Sequence, residues 1–472
     1  MGAVTEDGVY WTGRFVDRRA RPQRSVMEAQ RETKVFRLCD VVVVGGGPAG
    51  TAAAVAAARL GADVTLVERH NHLGGLATGG LVIWIDRMTD WSGRKVIAGF
   101  AEEVLDLLPK PAVAGPGPEL WGRRDRDLVD FWQARSSAHH GVVTWAPTVD
   151  PEHLKLVSQR LVAESGAHLL LHSLGVSPLL RDGRVAGVFF ESKEGRMAIE
   201  AKVVIDCTGD GDIFFRAGAQ VEQDIDERDI HHCMNTAWLF GGIDMEAWLA
   251  FKGSDPEGYS AFMQAGRALC GGSFERPVVS WRRDVAVFMG PRLAGYFGGD
   301  VEDLTEAETR SRWLMTKHLE HFRAHAPGFE NAFIMLSAPQ LGVRHTRRLI
   351  GQHRLVRRDW IAGAVHDDEV GISPSISPKF PNVSVPYGCL VPEGVDGLLA
   401  AGRHVACDAS SHTFMREIPQ CWLTGQAAGV GAALAVAANL PPRLVPATSL
   451  RQALLSQGVP LSPVGPAAMV AG

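Results

Sequence analysis

Charge of one sign, paired cysteines and long apolar runs are all missing from this 472-residue chain, and each absence removes a class of function. The seven cysteines (Cys39, Cys207, Cys233, Cys270, Cys389, Cys407, Cys421) are odd in number and dispersed, with no C-x-x-C pair. They offer neither a disulfide framework nor a redox dithiol, and they read as reduced thiols in a cytoplasmic protein. A formal net charge of -5 gives no reason to expect nucleic acid or an acidic membrane as partner. The longest apolar run near the end, residues 427–438, is too short and too rich in Gly and Ala for a membrane span, so a buried helix is expected. No apolar signal-peptide core precedes Asp40. Residues 1–39, where Arg14, Arg18, Arg19, Arg21, Arg24 and Arg31 are interspersed with acids, read as a surface extension. Internal repeats and low-complexity tracts are lacking as well.

What is present begins at residues 40–50, DVVVVGGGPAG, where four consecutive valines run into Gly45, Gly47 and Gly50, with Pro48 and Ala49 between the last two. A fully buried parallel strand reads as an unbroken β-branched run, and a glycine turn lets backbone N–H groups approach a pyrophosphate at the start of a helix. The helix dipole then favours the anion. A lone G-x-G-x-x-G is weak evidence. Here the strand before it, the alanine-rich TAAAVAAARL after it, and Glu68, eighteen residues beyond Gly50 at the end of VTLVE, all agree on a dinucleotide site. The plain alternative is an ordinary strand-to-helix turn in which Glu68 merely ends a strand.

The length predicts two intimately connected domains with interior enough for a large cofactor. The first, at 40–214, continues with NHLGGLATGG (71–80), whose small residues suit a loop lying close to a ligand. DPEHLKLVSQRLVAESG, from residue 150, then predicts a capped amphipathic helix. HLLLHS, RVAGVFFES, MAIEA and KVVIDCTG predict a small sheet whose last strand returns to the parallel core. From 215 to 338 aromatic and polar residues interleave with helical stretches, which predicts an inserted α+β substrate domain. Residues 339–440 become glycine-punctuated and apolar again, a second portion of the first domain, and 441–472 form a C-terminal helix and loose tail.

With VIDCTGDGD at 204–212 the chain comes to resemble the FAD-dependent oxidoreductase family that is related to succinate dehydrogenase and fumarate reductase flavoproteins. The resemblance is nearly full length. LGGLATGG, the TGDGD turn, LGVRHTRRLIG (341–351), VPYGCLVPEGVDGLLAAGR (ending at Arg403) and GQAAGVGAALA occur in the family's order. It implies an α/β fold of the glutathione-reductase type: a Rossmann-like FAD-binding domain with a parallel sheet, interrupted by the substrate domain. Gly45, Gly47, Pro48, Ala49 and Gly50 are then expected at the diphosphate, Glu68 at the adenosine ribose and Arg69 against the adenine. Gly74, Gly75 and Thr78 would keep the chain clear of the ribityl-diphosphate. Val176, Thr208, Gly209 and Asp210 join the expected cofactor contacts, although a TGDGD sequence is also a plain Asp-Gly turn. Gly402 and Arg403 would meet the ribityl chain; related flavoproteins carry an acid at the second position. By the same resemblance, backbone at Glu417 and Ile418 opens a helix toward the flavin N1 and O2 edge, where its dipole stabilises the anionic reduced ring.

In SSHTFMREIPQ (410–420), His412 and Arg416 lie four apart, in the loop that by resemblance carries an active-site base or acid. Imidazole titrates near neutrality, which suits proton transfer, and Arg416 suits an anionic group. The structural alternatives are a hydrogen-bonded histidine and an arginine capping carbonyls. Arg344, with His345, Arg347 and Arg348, is a candidate clamp for a carboxylate or carbonyl, or a cross-link between domains. His231, His232 and Cys233 lack ligand spacing, as do His139 and His140, so no metal is expected. The expected protein is a FAD-dependent oxidoreductase acting on a small organic molecule by hydride transfer at flavin N5, with homo-oligomerisation left open. Two other readings stand beside it. A flavin-dependent monooxygenase would carry an acid where Arg403 stands, and a FAD-binding structural or partner-recognition protein would have no use for the His412 and Arg416 pair.

Overall fold

The valine run forms the strand its composition predicts, in a computed structural model that describes residues 24–223 and 233–463 together with the short strands Val4–Thr5, Gly8–Val9 and Trp11–Thr12. His231, His232, most of the arginine-bearing start and the tail beyond residue 463 lie outside the described residues. Strand β1 (Lys34–Val44) is exposed where it enters and fully buried at its four valines. It starts inside the stretch expected to be an extension, because residues 34–39 pair in parallel with a neighbouring strand. Helix α1 (Pro48–Arg59) begins with proline, whose missing N–H and fixed φ suit the first helical turn. It is buried from Pro48 to Ala57, as a helix made mostly of alanine must be to contribute to a core.

Strand β2 (Val64–Val67) pairs in parallel with β1. Helix α2 (Pro151–Ser165) follows, with the Asp150 carboxylate accepting from the Glu152 N–H as its N-cap and Gly166 in the left-handed region behind it. Strands β3 (His168–Leu170), β4 (Leu174–Arg181), β5 (Arg184–Ser192) and β6 (Gly195–Asp206) complete the first portion. MAIEA and KVVIDCTG, expected as two strands, are the single strand β6. Its charges are held by ion pairs across the sheet, Lys202 with Asp40 at 2.8 Å and Glu200 with Arg181 at 2.9 Å. As expected, the last strand of this sheet returns to the parallel core, since β6 pairs with β1 along one edge and with β5 along the other.

The inserted portion has its own core. Strands β7 (Trp238–Gly241), β8 (Val278–Val279), β9 (Val285–Phe288) and β10 (Phe333–Ser337) form an antiparallel sheet in the order β8-β9-β7-β10. Helices Met245–Ser254, Pro256–Leu269 and Val301–His325 accompany it. The core is aromatic: Trp238 stacks on Phe288, and Trp248 meets Phe262, Phe322 and Phe329.

The chain then returns to the first sheet. Strand β11 (Leu398–Ala400) pairs in parallel with β6, so β3, β2, β1, β6 and β11 run side by side in one direction. Helix α3 (Ala409–Met415) leads into α4 (Ile418–Ala438), which is longer than the apolar run of residues 427–438. By length and composition α4 is apolar enough to cross a membrane, yet it packs inside the protein. Its Gly425 and Gly429 lie against the Ala49 and Ala53 carbonyls of α1, where a Cβ would sit 2.1 and 2.2 Å away. Backbone therefore meets backbone, and the two helices bring their N-termini to the same place. That place is the carboxyl edge of the parallel strands, where α/β sheets bind their ligands.

Candidate active site

A cleft of about 830 Å³ opens at this edge. Val44, Val67, Cys207 and Ala401, which end or directly follow the parallel strands, form its floor, and Gly47, Pro48, Ala49, Ile418 and Cys421 bring in the two helix N-termini. Orphan N–H groups and the dipoles of both helices favour an anion there.

The glycine turn is built for close approach. Gly45 has φ +102°, and a Cβ on it would lie 2.4 Å from the Cys207 carbonyl oxygen. Gly47 faces the open cleft, and Gly75 comes up on the other side, its own Cβ position 2.8 Å from the Gly47 Cα. Glu68 accepts from the Gly46 N–H at 2.6 Å and the His70 N–H at 2.7 Å, one bond on each carboxylate oxygen. Each oxygen keeps a second lone-pair direction for a ribose hydroxyl. Arg69 lies beside it on the wall.

The second loop is organised by Asp206, a residue not singled out from the sequence. Fully buried at the end of β6, it accepts from the Thr208 N–H and hydroxyl and from the Ile213 and Phe214 N–H groups. The Thr208 hydroxyl in turn accepts from Gly211 and Asp212, which fixes the TGDGD turn and leaves Thr208, Gly209 and Asp212 on the wall.

Gly45, Gly47, Pro48, Ala49, Glu68, Arg69, Gly75, Thr208, Gly209, Gly402, Arg403, Ile418 and Arg416 all line the cleft. Other expected contacts lie behind it, for identifiable reasons. Gly50 permits the turn itself, since a Cβ there would be 1.7 Å from the Gly45 carbonyl oxygen. Gly74 donates to the Gly46 carbonyl, and Thr78 braces the same loop by donating to the Leu73 carbonyl at 2.7 Å. Val176 is the unpaired residue of a bulge between Gly175 and Ser177, and Ser173, Leu174 and Gly175 reach the cleft instead. Asp210 has its carboxylate taken by the Thr346 hydroxyl and the Arg403 guanidinium, both at 2.6 Å. Burial would raise its pKa; Arg403, Thr346 and Arg69 outweigh that and hold it below the usual range.

Arg403 thus carries its acid with it, across the fold. Its guanidinium covers Gly209, where a Cβ would meet Nη1 at 2.6 Å. His412, the candidate base, does not line the cleft: it is 1% exposed, its Nε2 lies 3.0 Å from the Arg403 carbonyl, and its ring stands edge-on to His345. The LGVRHTRRLIG segment is mostly irregular. It forms two two-residue bridges, Gly342–Val343 and Arg348–Leu349, while Arg347 donates to the Asp210 carbonyl. Arg344 is half-buried and outside the cleft lining.

Arg416 closes the end of the cleft and pairs with Glu417 at 3.0 Å. Glu417 is the N-cap of α4, yet its side chain does not cap the helix. Burial raises its pKa, opposed by Arg416, reinforced by Asp86 and opposed again by Arg344. Asp86 and Arg87 were missed in the sequence because they sit in an irregular segment with no motif. Cys207 and Cys421, also missed, bring no thiolate: burial pushes Cys421 up to about 12 and Cys207 well above its ordinary value.

These residues fit FAD. Three side chains of the lining keep a buried polar atom without a hydrogen-bond partner, Gln340 Oε1, Arg403 Nε and Arg416 Nε, and a long polar ligand would meet them. The glycine turn, Glu68 and the two helix N-termini supply the diphosphate and ribose ends. Among the described residues no cluster of His, Cys, Asp and Glu suits a metal ion.

Comparison with known proteins agrees. The FAD dependent oxidoreductase family matches residues 40–454. Digeranylgeranylglycerophospholipid reductase 2 of Methanopyrus kandleri is 29% identical over 218 residues, 44% of this chain and 46% of its own. Its namesake from Methanothermobacter thermautotrophicus is 30% identical over 225 residues, 47% of this chain and 52% of its own. The chain therefore spans about half the length of these curated relatives. Among solved structures, a geranylgeranyl bacteriochlorophyll reductase-like protein of Thermoplasma acidophilum aligns over 89% of this chain and 82% of its own, at 15% identity and a TM-score of 0.38. A myxobacterial chondrochloren halogenase aligns over 88% and 78%, at 11% identity and 0.43. On the family match across most of its length, and with a cleft whose residues suit the cofactor, this chain belongs to the FAD-dependent oxidoreductase family, as an enzyme that uses FAD.

Proposed function

We propose that this enzyme oxidises or reduces a small organic molecule at the end of the cleft closed by Arg416 and Ile418. When bound, FAD supplies two-electron exchange with the substrate at its N5 position. Glu68, the glycine turn and the N-terminus of α1 would hold the adenosine and diphosphate end, and Gly402 and Arg403 the ribityl chain. The N-terminus of α4 would stabilise negative charge on the ring edge, because the Glu417 side chain pairs with Arg416 and does not cap the helix. Arg416 would orient the substrate by charge, as the guanidinium on that part of the wall.

The observation that carries this reading is the convergence of two glycine-packed helix N-termini on one cleft that ends in a charged pair, Arg416 and Glu417. The further relationship to succinate dehydrogenase and fumarate reductase flavoproteins belongs to the same proposal and rests on the order of the five motifs. The relatives' name, a reductase of a geranylgeranyl phospholipid, supports an unsaturated substrate. A cytoplasmic setting is also proposed, supported by seven free cysteines, six of them buried. The test is anaerobic: bleaching of the bound flavin by alcohols and amines, and reoxidation of the reduced flavin by unsaturated acids. A flavin-replete protein that responds to no member of that panel would refute the proposal.

A further inference from the structure

We infer that the Glu417 carboxyl is a proton-holding group that lets Arg416, on the cleft wall, accept a monoanionic carboxylate, so that substrate binding and Glu417 protonation are coupled. This rests on the proposed function and adds the substrate's charge class and a positioning residue to it.

Arg416 and Glu417 form a charged pair at the cleft, and the Arg87–Asp86 pair acts on it through the Asp86 charge. Arg416 lines the cleft, its side chain 12% exposed, with Nη1 at 3.0 Å from Glu417 Oε1 and with Nε buried and unpartnered. Arg87 is 8% exposed. Its Nη2 donates to the Ser375 carbonyl at 3.1 Å, its guanidinium lies over the Trp91 ring at 4.2 Å, and its Nη1 is buried with no partner. Asp86, with Oδ1 3.8 Å from Arg87 Nε, joins the two, since its charge acts on both Arg416 and Glu417. Buried guanidinium N–H groups without acceptors are costly unless a ligand or water supplies one, and a carboxylate is the acceptor that matches their planar fork.

The charges decide the ligand. The groups acting on Glu417 are Arg416, Asp86 and Arg344, with the Cys421 thiol close by. Glu417 is half-buried, and an anion arriving at Arg416 raises its pKa further, because a second like charge in one poorly solvated site disfavours ionisation. Asp86 keeps its partner Arg87, whereas Glu417 shares Arg416 with the incoming carboxylate. Glu417 therefore takes up the proton, and the Arg416 guanidinium is released to the ligand. A merely structural Arg416–Glu417 pair would show no such linkage.

The test uses the flavin-loaded protein and crotonate, which is fully ionised from about pH 6 upward and so adds no titration of its own. Binding is followed by perturbation of the flavin absorbance and by calorimetry in buffers of different ionisation heat. The expected result is proton uptake that approaches one per crotonate on the alkaline side of the Glu417 titration, with affinity falling up to tenfold per pH unit there. Glu417→Gln should bind with no proton uptake and a flat pH profile. Asp86→Asn removes the acid that competes with Glu417, and should move the midpoint of the wild-type profile to lower pH; it also tests the inference if Glu417→Gln does not fold. Crotonate binding without proton uptake, or uptake unchanged in both variants, overturns the inference. So does a flavin-replete protein that reacts with alcohols or amines but binds no carboxylate, an outcome that leaves the functional reading standing.

Discussion

Replacing Gly425 by alanine tests whether the helix pair really sets the cofactor site. The added Cβ would lie 2.1 Å from the Ala49 carbonyl oxygen, and real Cβ atoms essentially never come inside 3.0 Å, so α1 and α4 must part by about 0.9 Å. Neither partner is a flexible side chain that can swing aside. In an exposed helix alanine would gain about 1 kcal/mol over glycine, whereas overpacking a tight core costs about 1–3 kcal/mol or more. The sum is a net loss of up to about 2 kcal/mol of stability in the apoprotein. A larger effect is expected on FAD, because Ala49 also lines the cleft and the α1 N-terminus moves with it. One further 1.4 kcal/mol lost at the diphosphate is a tenfold weaker complex. The assay is flavin stoichiometry after dialysis, together with thermal unfolding with and without added FAD. Gly253→Ala is the matched control: Gly253 is exposed within the Met245–Ser254 helix with nothing within 4 Å of a Cβ, and should stabilise by about 0.5–1 kcal/mol. Gly425→Ala that keeps its full flavin and melts at or above wild type would refute the argument.

Arg403→Ala leaves the buried Asp210 carboxylate with only Thr346, and should cost about 3–5 kcal/mol; denaturant unfolding checks it, and Asp210→Asn on the same background should recover part of the loss. Glu68→Gln keeps the size but replaces an oxygen that accepts from Gly46 or His70 with a donor, and should weaken FAD binding about tenfold by flavin titration, a loss of about 1.4 kcal/mol. His318 is driven down from 6.5 to about 4 by burial, and its Nε2 accepts from the Glu275 N–H at 2.8 Å, so protonation breaks that bond. Its folded pKa lies below the unfolded one. The stability it confers is therefore full above about pH 6.5 and lost as pH falls toward about 4, a loss of about 3 kcal/mol. Unfolding midpoints across that window should fall less steeply in His318→Gln than in wild type.

Much of the cofactor half was legible because its signals are local. Four valines, a glycine turn and an alanine helix occupy twenty consecutive residues, and their strand, turn and helix follow from neighbours a few positions apart. The apolar run alone shows only the last part of α4, because Gln420, Thr424 and Gln426 interrupt the pattern; its start at Ile418 came from the resemblance. Each finds a buried partner from a distant segment: Ser373 for Gln420, the Gly402 N–H for Thr424 and the Phe100 N–H for Gln426. The TGDGD turn showed where a second loop approaches, but its organiser, Asp206, ends an apolar strand and looks there like an ordinary terminus.

By itself, then, the order of residues determined the parallel strands, the glycine turn and the class of cofactor, since these depend on spacing along the chain and on the bare geometry of glycine and proline. Only the tertiary structure decided which polar groups face the cleft. Asp210 and His412 lie near it in sequence terms yet serve Arg403 from behind, while Asp86, more than three hundred residues from Arg416, acts on it electrostatically. The physical reason is that a charge's role depends on its partners and its exposure to water, and both are assigned when distant segments close around one site.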